Sequence, residues 1–195
     1  MGSWRHHDLF QKSIFLLIQQ NPPHKRAHRT VGRCENPSEN SERKARCSGS
    51  LEGLDVVIDG TDEFDPSFQL IKGGGAALLR EKVVAQASKR MVVVADDRKQ
   101  VGTLGAFPLP IEVTPFSFRT TKRAIESVLE CNVSMRMADG QLLKTDNGNY
   151  IADAHTGPSI NDPERTEQRL LALAGVVQVG LFNNMCNVVV MASDM

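Results

Sequence analysis

Apolar positions along the chain fall into runs of two kinds. From Leu51 onward, "LDVVI" and "MVVVA" (Met91–Ala95) are short, near-continuous β-branched stretches, which predict strands covered on both faces. Between them, Ala76–Ala87 reads as a helix with apolar residues nearly all round it. "DGTDEFDPS" separates strand from helix as a turn-rich loop. Strand, helix, strand with continuous Val/Ile strands is the pattern of a parallel sheet.

A second set follows. "LPIEVTPF" reads as a strand that Pro110 and Pro115 confine to an edge or shorten. Thr121–Leu129 has an amphipathic helical period, and "VSMRM" (Val133–Met137) is a strand. "DNGNYIADA" turns on Asn-Gly into another strand. "DPERTEQRLLAL" places Asp162 as N-cap and Pro163 at the first helical position, and "GVVQVGLF" closes the set. The order β-α-β-β-α-β predicts a split βαβ, ferredoxin-like unit. A final strand, "NVVVMA", returns to the first sheet. The expected domains are residues 51–105 with 181–195, and an inserted unit at 106–180.

Residues 21–50 have almost no apolar positions and no period, so 1–50 is expected to be largely disordered. An apolar patch at Ser13–Ile18 is followed by no small-residue cleavage pattern, so a signal peptide is a poor match. Organelle targeting by residues 1–50 stays open, and a cytoplasmic location is the default.

Charge changes the picture only locally. The 195 residues carry zero net charge, which argues against nucleic acid as a partner. Residues 1–50 hold nine Lys/Arg against four Asp/Glu, and 51–195 hold 14 against 19. No apolar run is long enough to span a membrane. Cys34, Cys47, Cys131 and Cys186 form no CxxC pair, so neither a metal nor a disulfide framework is expected, and no cofactor is implied.

Candidate chemistry clusters where strands end. Asp59 and Asp62 lie on the loop after "LDVVI", at the carboxyl edge where open α/β sheets bind ligands. Two carboxylates there can hold sugar hydroxyls or move a proton; equally, they can shape an Asx turn. "IKGGGAALLREK" brings Lys72 and Gly73–Gly75 to the start of a helix, where backbone N–H groups and the dipole favour an anion. A plain strand-to-helix turn is the alternative. Three glycines in a row cost about 1 kcal/mol each relative to alanine, which favours function. Glu81 has Ala77, Leu78, Val84 and Ala85 as helical neighbours, and this apolar setting raises a carboxylate toward general-base range. A solvated Arg80/Glu81/Lys82 cluster at the helix's wet edge is the alternative; the three fan over roughly 200° and cannot all share one narrow edge, which leaves both readings of Glu81 open. Lys99, in "ADDRKQVGTLG", follows the second strand and is an anion ligand or a surface lysine. "TDNGNY" reads only as a hairpin turn.

In order, "DVVIDGTDEFD", "IKGGGAALLREKVVA", "VVVADDRKQVGTLG", "PLPIEV", "TDNGNYIAD" and "GVVQVGLF" closely resemble the type A ribose-5-phosphate isomerases. The resemblance spans about residues 51–192. It implies a Rossmann-like domain with a ferredoxin-like insert, and metal-independent interconversion of D-ribose 5-phosphate and D-ribulose 5-phosphate through an enediol. It makes Glu81 the base that moves the proton. It makes Lys72, with the amides of Gly73, Gly74 and Gly75, the group facing the enediolate oxygen, and has Asp59 and Asp62 hold hydroxyls and help open the ring. Gly60, Thr61 and Lys99 join these as substrate-binding residues. A homodimer or homotetramer is implied.

The resemblance breaks at the N-terminus. The family's G-[ST]-G-[ST]-T phosphate loop and the strand before it have no counterpart in residues 1–50, and "CSGS" (Cys47–Ser50) is a poor stand-in. The expectation is a sheet lacking a central strand, an incomplete phosphate site, and low or no activity. An inactive truncated paralogue, or a splice or frameshift product that binds sugar phosphate weakly or not at all, is the alternative. A sugar-phosphate-sensing regulatory domain is a third reading, weakened by the absence of a preceding helix-turn-helix.

Overall fold

The computed structural model describes residues 27–29 and 54–192. The apolar patch at Ser13–Ile18, "CSGS", Cys34 and Cys47 lie outside the described residues, as does the expected disorder of 1–50 apart from one short segment.

The first sheet is parallel, in the order β1 (Ala27–Arg29), β2 (Val56–Asp59), β5 (Met91–Asp96), β13 (Cys186–Ala192). Val57 pairs with Met91 and Val190 with Val94, so the Val-rich runs lie side by side. They are not covered on both faces as expected: β5 alternates buried and half-buried positions, and Val190 and Met191 of β13 are exposed. Strand β1 corrects one expectation: a parallel strand does come from residues 1–50 and pairs Ala27 with Val56 through Arg29 with Ile58. It is three residues long and holds no run of apolar side chains, which is why no periodicity betrayed it.

Helix α1 (Leu78–Ala87) follows the glycine turn and begins two residues later than its apolar run. Ala76 adopts φ 60° and Ala77 is not helical, because the chain must first close a turn in which the Ala76 N–H donates to the Gly73 carbonyl. Its buried positions are Leu78, Lys82 and Ala85, so a lysine and not a further aliphatic residue fills the inner face.

The second sheet is antiparallel, in the order β11 (Val176–Val179), β6 (Leu109–Val113), β10 (Tyr150–His155), β7 (Asn132–Met135). Helices α2 (Phe118–Leu129) and α3 (Pro163–Leu171) are the crossovers, and this is the ferredoxin-like strand order. Asp162 caps α3 by accepting from the Arg165 N–H at 3.0 Å. Of the two outcomes expected from Pro110 and Pro115, the edge position does not occur, since β6 is central and wholly buried, but the strand is short and stops at Val113. Pro110 is accommodated because the pairing with β11 ends at Val179↔Ile111, one residue short of it. Beyond that point its carbonyl accepts from the Gly180 N–H at 2.8 Å. Pro115 ends the strand.

A small sheet joins the two. Strands β12 (Leu181–Phe182), β4 (Leu70–Ile71) and β3 (Glu63–Phe64) were not legible in the sequence, being two residues each. "GVVQVGLF" therefore does not run as one strand: it changes sheets at Gly180. A hairpin of β8 (Met137–Ala138) and β9 (Gln141–Leu142) completes the set. One apolar cluster centres on Val57, Phe64, Leu70, Met91, Val93 and Phe182, the other on Leu109, Ile111, Ile125, Ile151, Leu170 and Val179. Each fully buried aliphatic or Phe side chain contributes roughly 1.5–3 kcal/mol.

Candidate active site

Three elements converge on one buried ammonium. Strand β2 ends at Asp59, β4 delivers Lys72, and the first turns of α1 deliver Glu81. The Lys72 Nζ lies 3.0 Å from Asp59 Oδ2 and 3.4 Å from Glu81 Oε2, and donates to the Gly60 carbonyl at 2.5 Å. The Phe182 ring lies beneath it, centroid at 5.4 Å. Lys72 is 3% exposed. Burial alone would lower its pKa, but the carboxylates of Asp59 and Glu81 outweigh that and hold it above the ordinary lysine value.

Glu81 is the mirror case. Burial pushes its carboxyl above the ordinary glutamate value; Lys72 pulls the other way, and the charge of Asp59 adds to the rise. Its Oε2 is buried and, beyond the ion pair with Lys72, accepts no hydrogen bond among the described residues. A carboxyl whose pKa is raised by burial, with an ammonium 3.4 Å from its buried oxygen, is suited to take up and release a proton.

The lysine's backbone is fixed as firmly as its head. The Lys72 N–H donates to the Gly180 carbonyl at 2.8 Å. A Cβ on Gly180 would stand 2.3 Å from the Lys72 carbonyl oxygen, so only glycine lets the sheet-switching strand pass this close. Thr61 turns its hydroxyl to the carbonyls of Glu63 (2.6 Å) and Ile71 (2.9 Å), lashing the Asp59–Asp62 loop to β4.

The glycine turn closes over this loop. The Gly74 N–H donates to Asp62 Oδ2 at 2.7 Å, while Gly60 caps Asp59 Oδ1 at 2.9 Å. Gly73 is buried with φ 111°; Gly74 and Gly75 are exposed. Asp59, Gly60, Lys72 and Glu81 thus form one contact set, with Asp62 and Gly74 joined beside it. Lys99 does not join. It lies half-buried on the 3-10 turn Asp97–Lys99, and no hydrogen bond or ion pair connects it to these residues.

Arg80, Glu81 and Lys82 do point three ways. The Arg80 guanidinium reaches Asp146 and Asn147, Glu81 faces Lys72, and Lys82 is buried. The Lys82 Nζ donates to Glu167 Oε1 (2.5 Å), Gln178 Oε1 (2.8 Å) and the Val179 carbonyl (2.8 Å). That network pins the helix bearing Glu81 to α3 and β11.

Several partners were missed in the sequence. Arg136, just after β7, donates through one guanidinium nitrogen to the carbonyls of Gly73 (2.8 Å) and Gly74 (2.9 Å) and pairs with Asp153. Buried Glu63 accepts from the backbone N–H groups of Gly105 and Phe107. Glu112, fully buried in β6, accepts from Thr145, Asn147 and Asn149, so "TDNGN" is more than a hairpin turn. The available signal was a charged residue inside an apolar strand, as in "SMRMA", "IADA" and "PIEV". Among the described residues no group of three or more His, Cys, Asp or Glu is placed to hold a metal ion.

Comparisons with known proteins agree with this arrangement. The family model of ribose 5-phosphate isomerase A (phosphoriboisomerase A) matches residues 39–195. Ribose-5-phosphate isomerase A of Bradyrhizobium diazoefficiens is 50% identical over 152 residues, covering 73% of this chain and 63% of that protein. The relative from Jannaschia sp. is 51% identical over 146 residues, 72% of this chain and 55% of its own length. The chain thus spans under two thirds of these relatives. Among solved structures, ribose 5-phosphate isomerase from Plasmodium falciparum superposes with TM-score 0.71 at 36% identity, covering 74% of this chain and 63% of that one. A D-ribose-5-phosphate isomerase in complex with phospho-erythronic acid gives TM-score 0.68 at 37% identity, covering 71% and 61%. With four fifths of its residues under the family model and an α/β fold shared with solved members, the chain belongs to the ribose 5-phosphate isomerase A family.

Proposed function

We propose that this chain interconverts D-ribose 5-phosphate and D-ribulose 5-phosphate by proton transfer through an enediol. The observation that carries the reading is the Asp59–Lys72–Glu81 set: a buried ammonium 3.4 Å from a carboxylate oxygen that accepts no hydrogen bond among the described residues.

In the open-chain aldose, Glu81 takes the proton from C2 and the electron pair moves to form the C1–C2 double bond. The C1 oxygen becomes anionic opposite Lys72 and the glycine-turn amides. Preorganised donors of this kind lower the barrier by roughly 3–4 kcal/mol each. Glu81 returns the proton to C1, the O2 hydroxyl gives up its proton as C2 becomes the ketone, and the C1 oxygen is protonated. Asp59 and Asp62, half-buried on either side of exposed Gly60, accept hydrogen bonds from sugar hydroxyls and assist ring opening. Gly60, Thr61, Gly73, Gly74, Gly75 and Lys99 line the substrate in this reading; Thr61 acts through its backbone, its hydroxyl being occupied. The relative crystallised with phospho-erythronic acid supports a sugar-acid phosphate as ligand class.

Residues 1–50 contain no G-[ST]-G-[ST]-T sequence. The phosphate is accordingly held less tightly, and the cost falls on kcat/KM. Residues 51–105 with 181–195 act as the catalytic unit and 106–180 as the unit covering it. The chain works as a homodimer or homotetramer in the cytoplasm, without nucleic acid or membrane partners. Among the described residues no helix is long and apolar enough to cross a membrane. The test is isomerase turnover of the chain beside its Glu81→Gln variant.

A further inference from the structure

Arg136 comes from the inserted unit, yet its guanidinium is spent on the glycine turn of the other. One nitrogen, Nη1, donates to both the Gly73 and Gly74 carbonyls, at 2.8 and 2.9 Å. The remaining donors face Asp153, which Nε reaches at 2.9 Å and Nη2 at 2.5 Å. Both side chains are mostly buried, at 16% and 14% exposure. Asp153 sits on β10 in register with Ser134, so the pair is fixed by strand pairing before it touches the turn.

In a trans peptide the carbonyl and the following N–H point in opposite directions. Holding the Gly73 carbonyl therefore sets the Gly74 N–H, which donates to Asp62 at 2.7 Å. Holding the Gly74 carbonyl turns the Gly75 N–H away from the guanidinium, at an exposed residue with no partner for that group among the described residues. Glycine has no side chain to lock these planes, and Gly73 already needs φ 111°. A bound cation also polarises each peptide, strengthening its N–H as a donor.

We propose that Arg136 is a positioning residue for the isomerase site: through the Gly73 and Gly74 carbonyls it sets the glycine-turn N–H groups, one on Asp62 and one free for the substrate's developing anion. The inference rests on the isomerase reading for its catalytic consequence, but not for its geometric one.

The test uses the full chain and the double variant Arg136→Gln/Asp153→Asn, which leaves no lone buried carboxylate, with Arg136→Lys as the conservative variant. Without substrate, Gly74 amide exchange read by NMR is expected to quicken about tenfold or more in the double variant while Val93 in β5 stays unchanged. Turnover of D-ribose 5-phosphate is expected to lose about tenfold in kcat with KM held, since the donors act on charge formed in the transition state, and Arg136→Lys should recover part of both effects. Gly74 exchange within about twofold of the parent overturns the proposal, as does an unchanged kcat in a parent that turns over. A parent without turnover would sink the isomerase reading alone, because the exchange measurement still decides whether Arg136 sets the turn.

Discussion

The ammonium of Lys72 lies 3.4 Å from the carboxylate of Glu81, and the facing oxygen, Oε2, accepts no hydrogen bond among the described residues. Burial raises the Glu81 pKa above its ordinary 4.5, with Lys72 opposing and Asp59 assisting. A base must be ionised to act, so turnover is expected to rise with pH along a limb centred above 4.5. Replacing Lys72 with Gln removes the group that lowers the Glu81 value. That limb should then move to higher pH, and kcat should fall about 10²–10³-fold with the loss of the oxyanion partner. A pH–rate profile of both proteins checks this; an unmoved limb in the variant contradicts it.

The same shift has a stability consequence. A carboxyl whose folded-state pKa is raised contributes stability below its unfolded value and loses it as pH rises through the folded value. Above that window Glu81 is a net burden on the fold. Glu81→Gln is therefore expected to melt at or above the parent's temperature near neutral pH, with the gap closing below pH 4.5. Melting curves across pH read this directly, and a variant less stable than the parent at neutrality would count against it.

Two glycines separate loop function from fold. Alanine at Gly74 would place a Cβ 2.6 Å from Asp62 Oδ1, the flexible end of a side chain at an exposed site. Gly74→Ala should push the carboxylate aside and lower kcat/KM about tenfold while costing under about 1 kcal/mol of stability. Alanine at Gly180 meets the Lys72 carbonyl oxygen at 2.3 Å, backbone that cannot yield cheaply. Gly180→Ala should cost about 1–3 kcal/mol, seen as a lowered denaturation midpoint.

Lys82 gives a stability test away from the chemistry. Lys82→Met nearly conserves volume but leaves Glu167 Oε1 and Gln178 Oε1 without their cation. Glu167 retains Asn183 as a donor at 2.7 Å, so the loss should be about 3 kcal/mol, at the low end for a broken buried pair. A midpoint within about 0.5 kcal/mol of the parent would show that the network carries little.

Long, regular patterns were legible in the sequence and short or cross-chain ones were not. The Val-rich runs read as parallel strands, and Asp162–Pro163 marked a helix start, because each signal is local. The three two-residue strands around Lys72 carry no period and exist only because Gly180 lets two sheets meet there. Pro110 in "LPIEV" suggested an edge, yet the strand is central: a neighbouring strand's end relieved the missing N–H. Glu81 was legible as a carboxylate on an apolar helix face, and Asp59 as a carboxylate at a strand's end. Their meeting at Lys72 follows from the family resemblance alone, since from the residues themselves it needs β2, β4 and α1 placed in space. Arg136 is marked in the sequence only as a charge inside the apolar run "SMRMA"; its partners, backbone carbonyls more than 60 residues away, are encoded by no sequence pattern.

The most direct test of the account is conversion of D-ribose 5-phosphate by the purified full chain and by Glu81→Gln, each first shown to be folded. Measurable formation of D-ribulose 5-phosphate is expected from the parent, with a loss of about 10²–10⁴-fold in kcat for the variant. A variant that keeps the parent's rate, or a folded parent with no turnover, would contradict it.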